Sequence, residues 1–131
     1  MHTKISDCIT SATAKGLATA GSCGLNVVPV SMLKVNDDGS IWLFDFFMDK
    51  TAANIQSNPE VALTCWSEMV GVQIKATAVY QTSGDDFDAS VAWVATQNPS
   101  RVVKGLLILS LTAVFDISPG GSFSNEELSL N

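Results

Sequence analysis

The stretch Val103-Lys104-Gly105-Leu106-Leu107-Ile108-Leu109-Ser110-Leu111-Thr112-Ala113-Val114-Phe115-Asp116-Ile117 decides the fold class. A run this apolar is compatible with a buried helix or with a strand, and its period separates the two. Val103, Leu107, Leu109, Leu111, Ala113, Phe115 and Ile117 share one parity, interrupted only at Gly105, which is the two-residue repeat of a strand. Upstream, Val72 to Thr82 alternates in the same way: Val72, Ile74, Ala76, Ala78 and Tyr80 face one side, and Gln73, Lys75, Thr77 and Gln81 the other. Val61 to Trp66 and the aromatic-rich Ile41 to Phe47 add two more strands. Asn36-Asp37-Asp38-Gly39 forms a tight turn before the latter, because Asn, Asp and Gly tolerate positive φ. Leu25 to Val35 reads as one strand, in a hairpin with Leu17 to Gly21 and in a meander with Ile41 to Phe47.

Three helices punctuate these strands. Ile5, Cys8, Ile9 and Ala12 follow helical spacing near the N-terminus. Asp49 opens a short helix from Lys50 to Ser57, closed at Asn58-Pro59 because the residue before proline avoids the α region. After Ser83-Gly84-Asp85-Asp86, a third helix carries the stripe Phe87, Val91, Val94 and Ala95. The expected architecture is mainly β: one domain over residues 1–131, an antiparallel six-stranded barrel decorated by small helices, with residues 118–131 as a polar tail.

Composition narrows the chemistry. The 131 residues are 47% hydrophobic and 15% charged, enough apolar material for one packed core. A formal charge of −6 and the absence of a Lys/Arg cluster argue against nucleic acid, and Arg101 is the single guanidinium. The one histidine, His2, lies near the N-terminus, which removes Ser-His-Asp and Cys-His designs and His-based metal sites. Cys8, Cys23 and Cys65 are odd in number and widely spaced, so neither a disulfide framework nor a zinc site is expected. The chain reads as a cytoplasmic protein with no membrane span and no metal.

Two places in the chain can carry chemistry. In Phe46-Phe47-Met48-Asp49-Lys50-Thr51-Ala52-Ala53-Asn54 a strand gives way to a helix whose first N–H groups can hold a phosphate, with Lys50 adding charge and Thr51 a hydroxyl. The plain alternative is that Asp49 is only a cap and Lys50 and Thr51 are solvated. In Val27-Val28-Pro29-Val30-Ser31 a proline stands inside a good strand, marking either an ordinary edge or a place where a planar ligand approaches. Gln73 has both donor and acceptor atoms suited to the heteroatom edge of a flavin, or is simply exposed.

Together these segments resemble the pyridoxamine 5′-phosphate oxidase-related family, the FMN-binding split β-barrel proteins, and in particular its small, barrel-only members. The resemblance rests on Leu17-Ala18-Thr19-Ala20, Asn26 to Ser31, Asp45 to Thr51 with Asn54-Ile55, Asn58 to Leu63, Gln73 to Ala78 and Val114 to Gly120, in that order. It implies a homodimer with FMN at the subunit interface. Lys50 and Thr51 would contact the phosphate, supported by Asn54, while Val28, Pro29, Val30 and Ser31 would line the isoalloxazine and Gln73 would approach it. No basic residue follows Lys104, so the C-terminal Arg and His with which pyridoxine-phosphate oxidases grip the substrate phosphate have no counterpart. The expected function is therefore an FMN oxidoreductase or electron-transfer protein rather than a true pyridoxamine-phosphate oxidase. The alternatives are a non-catalytic barrel that stores or senses a flavin, deazaflavin or haem, and a pure dimerisation module.

Overall fold

A computed structural model describes residues 1–131. The chain runs α1 (Thr3–Ser11), β1 (Ala14–Gly21), β2 (Gly24–Pro29), β3 (Leu33–Val35), β4 (Ile41–Asp45), α2 (Lys50–Ser57), β5 (Glu60–Ser67), β6 (Val70–Gln81), α3 (Asp85–Gln97), β7 (Gly105–Asp116) and α4 (Asn125–Leu128). The strands form one antiparallel sheet in the order β2-β1-β5-β6-β7-β4-β3. Val103–Ile117 does form a strand at its centre, as its period requires.

The strand count is seven rather than six, because the stretch Leu25–Val35 breaks at Pro29 into β2 and β3. Proline ends the β2 ladder, having no N–H to donate. The two pieces then lie at opposite edges of the sheet, so the expected three-stranded meander is instead two separate hairpins, β1–β2 and β3–β4. This break also dictates the curl. Four steps from Pro29 to Leu33 reach ~14 Å at most, whereas a flat seven-stranded sheet places its edge strands ~29 Å apart. The sheet must roll up, leaving a split between β2 and β3.

The interior of the roll is apolar. Leu17, Ile41, Leu43, Leu63, Ile74, Leu107 and Leu109 are all 0% exposed, and α1 adds Ile5 and Ile9 to the same cluster. A smaller cluster, Phe44, Val94, Val103 and Leu106, packs α3 against the outside of β4 and β7. Here α3 buries Ser90 and Val94, with Phe87 and Trp93 half-buried, while Val91 and Ala95 of the expected stripe are exposed. The parity of β7 also reverses near its end. Leu111 pairs with Ala76 and Ala113 with Lys75, so Thr112 is an extra residue in a bulge. Val114 is buried as a result, and Phe115 is exposed where unbroken alternation would place it inside. The tail is not featureless: α4 is opened by a capping box between Ser124 and Glu127, and Glu127 pairs with Lys4 at 2.7 Å.

Candidate functional site

A cavity of about 490 Å³ opens at the split, within the size range of small-ligand sites. Its walls come from three parts of the chain: Asn26 and Val28 to Met32 of β2 and the crossover, Phe44 and Phe46 to Thr51 at the end of β4 and start of α2, and Arg101 from the α3–β7 loop. The strand–helix junction is shaped by Asp45, which is fully buried. Its Oδ1 accepts from Met48 N at 2.6 Å, and its Oδ2 accepts from the Tyr80 hydroxyl at 2.5 Å. Burial, then the hydrogen bond and the negative charge of Asp45, push the Tyr80 hydroxyl up to about 12. Gly105 is needed beside this pair because a Cβ there would run into the Tyr80 ring and hydroxyl. Asp45 thus fixes the turn from Phe46 to Asp49 that delivers α2 to the cavity.

The N-terminus of α2 is open. Asp49 stands at the cap position, yet its carboxylate makes no capping hydrogen bond; its backbone carbonyl accepts from Ala53 N at 3.1 Å. The N–H groups of Lys50, Thr51 and Ala52 have no protein acceptor, which leaves donors and partial positive charge for an anion. Thr51 is 1% exposed, and its Oγ1 accepts from Asn26 Nδ2 at 3.0 Å. That bond leaves the Thr51 hydroxyl proton free to be donated at the cavity wall.

Of the residues singled out in the sequence, the structure brings Val28, Pro29, Val30, Ser31, Lys50 and Thr51 together around this cavity. Asn54 stands behind it. Its Oδ1 accepts from Cys23 N at 2.8 Å, and its Nδ2 donates to the Gly24 carbonyl at 2.8 Å and to Thr19 Oγ1 at 3.2 Å. Both amide hydrogens are spent, so Asn54 ties α2 to the β1–β2 turn. Gln73 is elsewhere, between the buried Val72 and Ile74 and therefore on the outer face, in a cross-strand row with Gly16, Thr64 and Phe115. Leu25 and Val27 on β2, Trp66 on β5 and Phe115 on β7 leave that outer face apolar and exposed.

Sequence reasoning missed Asn26, Met32, Phe44 and Arg101 as cavity residues. Arg101 was visible as the only arginine, but no local pattern ties residue 101 to residue 46, over whose ring its guanidinium lies at 4.8 Å. Apolar walls around an uncapped helix terminus, with two cations, suit a flat aromatic ligand carrying a phosphate. The residues present therefore fit a flavin mononucleotide.

Comparison with known proteins places the chain. An uncharacterised protein of Methanocaldococcus jannaschii, MJ0282, is 32% identical over 108 residues, covering 79% of this chain and 72% of its own length. Three solved structures share the fold at lower identity. HupZ of Group A Streptococcus superposes with a TM-score of 0.82 at 21% identity, covering 95% of this chain and 99% of its own. An FMN-binding protein of Syntrophomonas wolfei gives 0.75 at 18%, covering 88% and 85%. HutZ, a haem storage protein of Vibrio cholerae, gives 0.67 at 17%, covering 86% and 92%. The sequence model of the pyridoxamine 5′-phosphate oxidase family matches residues 1–117, which include all seven strands, and the chain belongs to that family.

Proposed function

We propose that the protein is an FMN-binding redox protein that works as a homodimer. The observation that carries this reading is the uncapped N-terminus of α2, with Lys50 in its first turn, at a cavity also lined by the mainly apolar segment Val28 to Met32. In this reading the phosphate takes the free N–H groups of α2, the Thr51 hydroxyl and the Lys50 ammonium. Val28, Pro29, Val30 and Ser31 lie along the ring system. The flavin, when bound, supplies the capacity to take up and release electrons or hydride, and the chain supplies binding and exclusion of water. No imidazole or cysteine lines the cavity; its charged side chains are Asp49, Lys50 and Arg101.

Gln73 meets a flavin only across a subunit boundary, because it lies on the outer face and not at the cavity of its own protomer. The exposed apolar residues around it support a second copy as the covering partner. The haem storage neighbour suggests a tetrapyrrole as the competing ligand, but His2 is far from suited to ligate one. Its Nδ1 accepts from Lys4 N at 3.1 Å, capping α1, and it does not line the cavity.

The test is to titrate purified protein with FMN and with riboflavin, following flavin fluorescence, and to identify any co-purified ligand by mass spectrometry. FMN is expected to bind, with quenched fluorescence, and more tightly than riboflavin. A protein that binds neither, or that releases a deazaflavin or haem, overturns the FMN reading. A monomer by light scattering overturns the dimer.

A further inference from the structure

We infer that Arg101 is an anion-recognising residue of the cavity and decides whether the site accepts a phosphorylated ligand. The charged residues lining the cavity are Asp49, Lys50 and Arg101. Without Arg101, Asp49 and Lys50 cancel; with it, the lining carries one net positive charge on a chain whose net charge is −6. Arg101 therefore supplies the net positive charge of the lining.

The side chain is also unspent. Arg101 makes no salt bridge, the only one in the molecule being Lys4–Glu127, and its guanidinium donates to no protein acceptor. Arg101 is half-buried, and its five N–H donors, unused at the wall of a cavity, can receive an oxyanion. Its position is held from behind. The Trp93 ring stacks on Phe44 with centroids 5.5 Å apart, Phe44 stacks on Phe46 at 6.2 Å, and Arg101 lies over Phe46 at 4.8 Å. This column runs from α3 to the guanidinium and holds its charge over the Phe46 ring without using any of its hydrogen-bond donors. Lysine, a point charge on a flexible stem, cannot reproduce the planar fork of donors that a guanidinium presents.

Taken with the FMN reading on which it rests, the inference assigns Arg101 to the phosphate, sharing it with Lys50 and the α2 terminus. The experiment compares wild type, Arg101→Gln and Arg101→Lys for affinity toward FMN and riboflavin at two salt concentrations, with circular dichroism and dimer mass as folding controls. Arg101→Gln is expected to weaken FMN about 10–100-fold, to leave riboflavin within about threefold, and to flatten the salt dependence of FMN binding. Arg101→Lys is expected to recover only part of the loss. If wild type binds no flavin, the cofactor reading itself fails. If wild type binds FMN but Arg101→Gln keeps the same FMN-to-riboflavin ratio, or loses both ligands equally, the role of Arg101 is refuted while the cofactor reading stands.

Discussion

The inside of the barrel and its split edge are built on opposite principles. Inside, the fully buried residues of the core cluster are aliphatic apart from Cys65 and hold one another by packing. At the split, buried polar groups do the fastening: Asp45 ties the strand–helix junction to Tyr80 and Met48, Asn54 ties α2 to the β1–β2 turn, and Asn26 orients Thr51. Packing is non-directional and tolerates no gap, whereas hydrogen bonds specify where a backbone segment goes. The interior therefore governs whether the chain folds, and the split governs where ligand-facing atoms sit.

Substitutions can separate the two. The largest effect belongs to the interior: Leu63→Ala is expected to cost about 2–5 kcal/mol in a denaturant melt, with unchanged FMN affinity wherever the protein is still folded. Asp45→Ala comes next, at about 2–3 kcal/mol, since it strands the Tyr80 hydroxyl and the Met48 N–H; unlike Leu63→Ala, it also weakens FMN by loosening the turn before α2. A loss of stability with FMN binding intact would show that the turn keeps its shape without Asp45. Asn54→Ala is expected to cost about 1–3 kcal/mol and to raise amide exchange at Cys23 and in the β1–β2 turn, leaving exchange in β6 and β7 unchanged. Smallest in stability is Lys50→Ala, an exposed position, within about 0.5 kcal/mol. It should nonetheless lower FMN affinity more than riboflavin affinity, and equal loss of both would displace the phosphate from α2.

A pH experiment probes the same junction. Tyr80 is the only tyrosine, so tyrosinate absorbance reports it alone. Its folded-state value of about 12 lies above the ordinary 10.0, so the folded state holds the proton longer than the unfolded chain. Its contribution to stability is present in full below pH 10 and is lost as the pH rises toward 12. Asp45→Asn should bring the titration partly back toward the ordinary value, since burial remains while the carboxylate is gone. An unchanged titration in that variant would assign the shift to burial alone.

Much of this was legible in the chain. The alternation of Val72–Tyr80 identified the buried face of β6, and the strand–helix junction at Asp49-Lys50-Thr51 identified where α2 begins, though not that the Asp49 carboxylate leaves it uncapped. Pro29 signalled an edge or an interruption, and it is both the end of β2 and the start of the crossover. What escaped was non-local. Leu25–Val35 has one strand-like pattern throughout, so its division between two sheet edges cannot be read from periodicity. The bulge at Thr112 reverses the facing of Phe115 without changing the sequence pattern, because the extra residue exists only relative to the partner strand. Asn54 and Gln73 carry suitable atoms, but only coordinates show that the first has spent its amide on a turn and that the second lies on the outer face.

By itself the sequence determined the class of fold: a period-two apolar pattern demands a sheet with a buried face. Only the tertiary structure decided where the sheet splits, and that Arg101, 51 positions along the chain from Lys50, shares a cavity with it. Local preferences act over a few residues, whereas the meeting of β2, α2 and the α3–β7 loop follows from how the whole sheet curls to bring Pro29 and Leu33 within reach of each other.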